Sequence, residues 1–217
     1  MNPAIEVTAV GLFGEEVARR LATFCTGVRP AGADDGPAPA ARVLAAWRPV
    51  PALARALDAR SRTEGIPFVP VVAEPPLVVV GPVSVPGHSG CYSCYGIRAV
   101  QHAARPAEER ALQAWYDAHP DSGPHGFLPA IADLAATRVA GLLRRVGRDP
   151  LAVAGHVWQV NSLTLRVAAA TVVGVHACPL CGLGRDETGR SSASLRRALS
   201  WMYEGAQIDH PSTPTAP

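Results

Sequence analysis

Hydrophobic positions fall along this chain in short runs whose period changes several times. Ile5-Glu6-Val7-Thr8-Ala9-Val10 alternates and then turns apolar, as a strand entering a core does. Gly11-Leu12-Phe13-Gly14 follows as a glycine turn, and residues 15–21 place Val17, Ala18 and Leu21 on one side of a helix. Residues 26–41, rich in Gly, Pro, Ala and Asp, read as a loop. Residues 42–47 predict a second strand and residues 50–61 a helix rich in Ala and Leu. Residues 65–72 predict another strand, its prolines placing parts of it at a sheet edge, and residues 76–82 one more.

The helical period then returns. A helix begins at Tyr95, and residues 107–118 carry Leu112, Trp115 and Tyr116 on one apolar face. Residues 128–146 have the spacing of a long buried helix, with Leu134, Val139, Leu142 and Leu143 inward. Arg144-Arg145 sit near its C-terminus, where positive charge suits the helix dipole. From Gly155 the period becomes two. Residues 157–160, a turn at Asn161-Ser162 and residues 163–167 predict a β-hairpin, and residues 171–176 a further strand. Past Gly184 the chain is polar, with one short helix over 193–203 and a disordered tail over 211–217. The expectation is one α/β domain over residues 1–185 and an extension over 186–217.

Strand, glycine turn and helix at the start make the opening of a Rossmann-type βαβ unit. Its phosphate-cradling fingerprint needs three glycines, and here only Gly11 and Gly14 stand, with Phe13 where a nucleotide would want bare backbone. The favoured reading is a vestigial cofactor turn that binds nothing. Asp34-Asp35 imitates a ribose-binding acid only superficially, because its Gly/Pro context is that of a solvated loop.

Composition narrows the function classes. A hydrophobic fraction of 48% is ample for a buried core, yet no apolar run approaches the ~18–20 residues of a membrane span. Glu6 and Glu15-Glu16 break any signal-peptide pattern, so a soluble cytoplasmic protein is expected. The net charge of +2 leaves no nucleic-acid footprint. Every Lys/Arg position is arginine, which excludes a lysine nucleophile, a Schiff base or a lysine on phosphate.

Two cysteine pairs carry the strongest chemical signal. Cys91-Tyr92-Ser93-Cys94 and Cys178-Pro179-Leu180-Cys181 each have two residues between thiols, which lets one tight turn offer two thiolates to a tetrahedral ion. Eighty-three residues separate Cys94 from Cys178, too many for a zinc ribbon. The expectation is a structural Zn2+ held by Cys91, Cys94, Cys178 and Cys181, since four thiolates leave no open position for a catalytic water. His176, two residues before Cys178, reads as a capping or packing residue, Cys25 as a small core residue, and Trp115 and Tyr116 as core or dimer contacts. Arg196-Arg197, like Arg144-Arg145, reads as a solvated face.

The run Gly65-Ile66-Pro67, Val80-Gly81-Pro82, Val85-Pro86-Gly87, Cys91-Tyr92-Ser93-Cys94 and Arg98 resembles the centre of ThiF-like proteins, relatives of the enzymes that adenylate ubiquitin-type proteins. With His176-Ala177-Cys178-Pro179-Leu180-Cys181-Gly182, residues 4–185 look like the ThiF-like proteins of azole-forming peptide pathways, the TOMM or bacteriocin biosynthesis cyclodehydratase group. The resemblance implies a Rossmann-like fold with a four-cysteine zinc. It also implies a YcaO cyclodehydratase partner, which uses ATP to turn Cys, Ser or Thr of a precursor peptide into azolines, and pairing as a homodimer. The chain begins at the first strand, without the winged helix that grips the leader peptide in fuller members, which sets direct peptide binding in question. With neither a full glycine loop nor a lysine, ATP chemistry is not expected. The reading is a non-catalytic scaffold for the YcaO enzyme; the alternative is an ATP-dependent enzyme that adenylates a peptide or carrier-protein carboxylate.

Overall fold

In the computed structural model, which describes residues 4–33, 37–88, 90–124 and 126–182, the strand-forming segments gather into a seven-stranded mixed sheet. In chain order the elements are β1 (Ile5–Val10), α1 (Gly11–Phe24), β2 (Val28–Pro30), β3 (Ala41–Ala46), α2 (Pro51–Thr63), β4 (Phe68–Glu74) and β5 (Leu77–Val80). Then come α3 (Tyr92–His102), α4 (Pro106–Ala118), α5 (Pro129–Val146), β6 (His156–Asn161) and β7 (Val167–Thr171). The sheet order is β2-β1-β3-β4-β5-β6-β7. The first four strands are parallel, joined through α1 and α2 as parallel pairing requires, and β4 to β7 are antiparallel.

Period-two alternation sorts the side chains into two layers. In β3, Val43 and Ala45 face a main core built with α1 and α5, while Leu44 and Ala46 face a second cluster with α2 and Tyr92. Burial on both faces explains why β3 and β4 read as nearly continuous apolar runs. α5 presents Ala132, Ala135, Ala136 and Ala140 inward, and small side chains let it lie close against α1 and the sheet. No helix among the described residues is long and apolar enough to cross a membrane.

Several elements differ from the sequence expectation. Gly11 to Gly14 is the first turn of α1 rather than a loop before it, because Phe13 shares the buried stripe of Val17 and Leu21. β2 lies inside the expected loop; its three residues are too few to show a period. β4 is central rather than an edge. Its Pro70 turns its carbonyl to the Gly81 N–H (2.8 Å) just beyond the β4–β5 ladder, so the missing donor interrupts no rung. α3 begins at Tyr92, before Cys94. The strand expected over 163–167 is displaced: Asn161 Oδ1 accepts from the Leu163 and Thr164 N–H groups at 2.9 and 3.0 Å, making a turn there, and β7 starts at Val167. The strand expected over 171–176 ends at Thr171. On α4, Leu112 and Trp115 are 46% and 44% exposed, and none of its described residues is buried, so that face is not core. Leu134 is likewise exposed on α5. Asp34-Asp35, Arg196-Arg197, the 193–203 helix and the tail lie outside the described residues.

Two buried polar groups lock α2 to its neighbours. Arg42 on β3 donates to Glu6 of β1 (2.7 Å) and to Glu64 just past α2, joining three elements through one guanidinium. Asp58 of α2, fully buried, accepts the Ser84 hydroxyl at 2.5 Å and the Tyr92 N–H at 2.9 Å. Burial raises its pKa, and these two donors work against that rise. Asp58 thereby satisfies the first turn of α3, whose N-cap is Cys91. Asp58→Ala would orphan both donors, and chemical denaturation should show a loss of about 2–4 kcal/mol.

Candidate metal centre

Two crossings bring the cysteines together. After β5 the chain runs beside the end of β6, where the Val83 N–H meets the His156 carbonyl at 3.0 Å and the Gly155 N–H meets the Val83 carbonyl at 2.8 Å. At Gly90 it passes under the strand leaving β7. A Cβ there would stand 2.8 Å from the Val172 carbonyl oxygen at φ +90°, so only glycine fits. Cys91 caps α3 and Cys94 lies one turn inside it. The second pair follows β7, in a turn closed by the Cys178 N–H to the Val175 carbonyl and the Gly182 N–H to the Cys178 carbonyl. Arg98 of α3 reaches back to the carbonyls of Val173 and Gly174, each at 3.4 Å, tying the helix to the segment that follows β7.

The four thiols form one cluster. Cys91 Sγ lies 3.8 Å from Cys94 Sγ and 3.5 Å from Cys178 Sγ, and Cys94 Sγ lies 3.3 Å from Cys181 Sγ. All four lie within 4.8 Å of one another. A disulfide needs about 2.05 Å, so these are not bonded pairs. An ion with metal–sulfur bonds of about 2.3 Å has a tetrahedral edge of about 3.8 Å, close to the observed spacing. The group can therefore hold one metal ion. Burial raises the Cys91 and Cys94 thiols above their usual range, the latter despite a 3.3 Å N–H donation from Val175. Burial acts against Cys178 too, yet the backbone N–H groups of Cys181 and Leu180 bring it below that range. Buried sulfurs with pre-aimed N–H donors suit anionic ligands around a cation.

The other expected residues lie elsewhere. Among the described residues His176 is exposed and no histidine joins the cluster. Cys25 ends α1, packed against the main core, and burial raises its thiol. Gly11 and Gly14 sit where the sheet order reverses between β1 and β3, the crevice in which α/β folds bind ligands. Here the protein fills it itself. A Cβ on Gly11 would stand 2.3 Å from Trp47 Cδ1, and one on Gly123 would stand 3.1 Å from Trp47 Cη2, so the indole lies between two bare backbones. The obstructing side chain is Trp47, not Phe13, which points into the core and meets Phe127 edge-on at 5.4 Å. Buried Arg48 holds the cover down, donating to the carbonyls of Pro49, Tyr116 and Pro120 at 2.8 to 3.2 Å. Trp47 was legible only as the last residue of a strand; its position beside Gly11 depends on the parallel register of β1 and β3.

No known family profile and no curated protein matches this sequence. Solved structures do share its fold. The heterocyclase TruD is 22% identical over 83% of this chain and 27% of its own, with a TM-score of 0.60. The E. coli microcin synthetase McbBCD complex matches at 10% identity over 81% of this chain and 67% of that one, with a TM-score of 0.61. The microcin C7 biosynthetic enzyme MccB, solved with N-formylated MccA, matches at 15% identity over 83% and 68%, with a TM-score of 0.58. This chain thus spans only about a quarter of the length of TruD. The resemblance to the ThiF-like TOMM proteins holds at the level of the fold.

Gly14 has a packing role of its own. A Cβ there would meet the Ala45 carbonyl oxygen at 2.2 Å, so its absence sets how closely α1 approaches β3. Gly14→Ala should lower stability by about 1–3 kcal/mol in urea denaturation, by overpacking.

Proposed function

We propose that this chain is a non-catalytic accessory protein that supports a YcaO-type cyclodehydratase in the biosynthesis of azole-containing peptides, with a structural Zn2+ on Cys91, Cys94, Cys178 and Cys181. The observation that carries the reading is the filled crevice. In a fold shared with a heterocyclase and a microcin synthetase, Trp47 covers Gly11 where an adenylating enzyme would need open backbone for phosphates. The absence of lysine supports the same division of labour, with ATP used by the partner. Adenylation by this chain itself would require Trp47 and the loop held by Arg48 to move away together.

The zinc, when bound, supplies cross-linking and charge neutralisation, not a reactive water, because all four positions are thiolates. The chain's own residues do the rest. Cys91 fixes the start of α3, Val175 orients Cys94, and Arg98 holds the segment that follows β7. The outer surface of α4, with Leu112 and Trp115 exposed, is available for a partner.

Metal analysis of the purified protein should return one zinc per chain. Cys178→Ser should lose it and lower the thermal midpoint by several degrees, since removing a ligand from a structural site removes folding free energy. A metal-free wild type in which Cys91, Cys94, Cys178 and Cys181 all titrate freely would refute the site. For the partner role, the protein should co-purify with a YcaO enzyme encoded beside it and raise azoline formation on the precursor, read by mass spectrometry as loss of one water per ring. Calorimetry should detect no ATP binding to the isolated chain; pyrophosphate exchange by it alone would favour the adenylating alternative.

A further inference from the structure

A cleft of about 700 Å³ opens beyond the end of β4, on the α2–α3–α4 side of the sheet. Its wall includes Glu74, the last residue of β4, with Tyr92 and Tyr95 from α3, Glu109 and Leu112 from α4, and Pro179 from between the second cysteines. Glu74 is unusual there. Among the described residues nothing hydrogen-bonds or ion-pairs with its carboxyl, although burial and then the neighbouring Glu109 push its pKa up to about 7. Its side chain is half-buried, bordering the cleft with no partner of its own.

The surroundings indicate what would meet it. The rings of Tyr92 and Tyr95 stand 6.0 Å apart beside Glu74, and Gln159 engages the Tyr95 phenol. Glu109 adds a second carboxylate, accepting the Gln113 amide at 2.9 Å. Two cations line the same cleft, but neither pairs with these acids: Arg55 of α2 pairs with Asp117 at 3.3 Å, and Arg110 of α4 is exposed. A carboxylate beside aromatic rings is chemistry that can receive an organic cation, through charge and through the ring quadrupoles.

We propose that this cleft binds an alkyl-guanidinium or alkyl-ammonium group, with Glu74 as its counter-ion and Tyr92 and Tyr95 as its walls. The cation comes either from a free small amine or from a basic side chain of a peptide. The role proposed above is not required for either source, and no partner enzyme enters the test.

Calorimetry on the full chain separates these cases. The probes are agmatine, a capped Ala-Arg-Ala tripeptide and the same tripeptide with citrulline in place of arginine. At pH 8 the protein should bind agmatine or the arginine peptide, and the neutral citrulline peptide at least tenfold more weakly than its arginine counterpart. Tighter binding of the peptide identifies a side-chain ligand, and tighter binding of agmatine a free amine. Since the cation prefers the ionised acid and a guanidinium does not titrate in this range, affinity should fall about tenfold from pH 8 to pH 6 as Glu74 takes up its proton. Glu74→Gln should weaken binding at least tenfold at pH 8 and flatten the pH profile. Failure of the wild type to bind either cationic probe, equal binding of the citrulline peptide, or an unchanged affinity in Glu74→Gln would overturn the proposal.

Discussion

The meeting of four thiols from turns 87 residues apart is the constraint on which the second half of this fold depends. The first four strands and α1 and α2 hold one another by parallel ladders and by cores on both faces of the sheet. The C-terminal strands have less. β7 is exposed along its whole length, and the segment after it has no further ladder. What returns that segment to the domain is the cysteine cluster, with the Gly90 crossing and the Arg98 bonds beside it. An ion on these thiols would close a long loop and act chiefly on the unfolded chain, whose freedom it would remove. The position of the cluster is used several times over, since α3, its Asp58 contact and the wall of the cleft all start from the same turn.

Elsewhere on the same sheet the chain fills a crevice with its own side chains. The reversal of strand order between β1 and β3 creates a crevice, and Trp47 with Arg48 closes it. Arginine suits this task as lysine would not. One planar guanidinium satisfies three backbone carbonyls at once while its central carbon lies 5.2 Å from the Tyr116 ring centre. Arg42 does the same between Glu6 and Glu64. A composition in which every Lys/Arg cation is arginine thus has structural consequences, whatever its origin.

How much of this was legible in the sequence follows from which signals are local. Strand β1 alternates, β3 is a short apolar run and α2 is rich in Ala and Leu, all local signals, and the cysteine spacing announced the cluster before any fold was known. Gly11 reads as a turn because glycine disfavours helices in general, and only the burial of Phe13 shows why the helix starts there. β2 and β7 escaped because one is three residues long and the other, Val167-Ala168-Ala169-Ala170-Thr171, faces solvent on both sides and carries no alternation. Pro70 suggested an edge because the usual cost of proline in a ladder assumes a rung at that position. The roles of Trp47 and Glu74 depend on which strand lies beside which, and no local pattern encodes that.

The staple and the cleft are linked through the loop they share. Pro179 lies between two of the four cysteines and also lines the cleft, while Tyr92 and Tyr95 each follow a cysteine of the first pair. An ion on the thiols would therefore fix three walls of the cleft in one step and lower the entropy that a ligand must overcome on binding. Glu74 stands apart from this, set by the antiparallel turn between β4 and β5, so the charge that meets the ligand is supplied by the sheet. An acid at the end of a strand, sharing a cleft with aromatic rings that adjoin the thiol cluster, gives the cleft its geometry without committing it to any chemistry at the crevice that Trp47 fills.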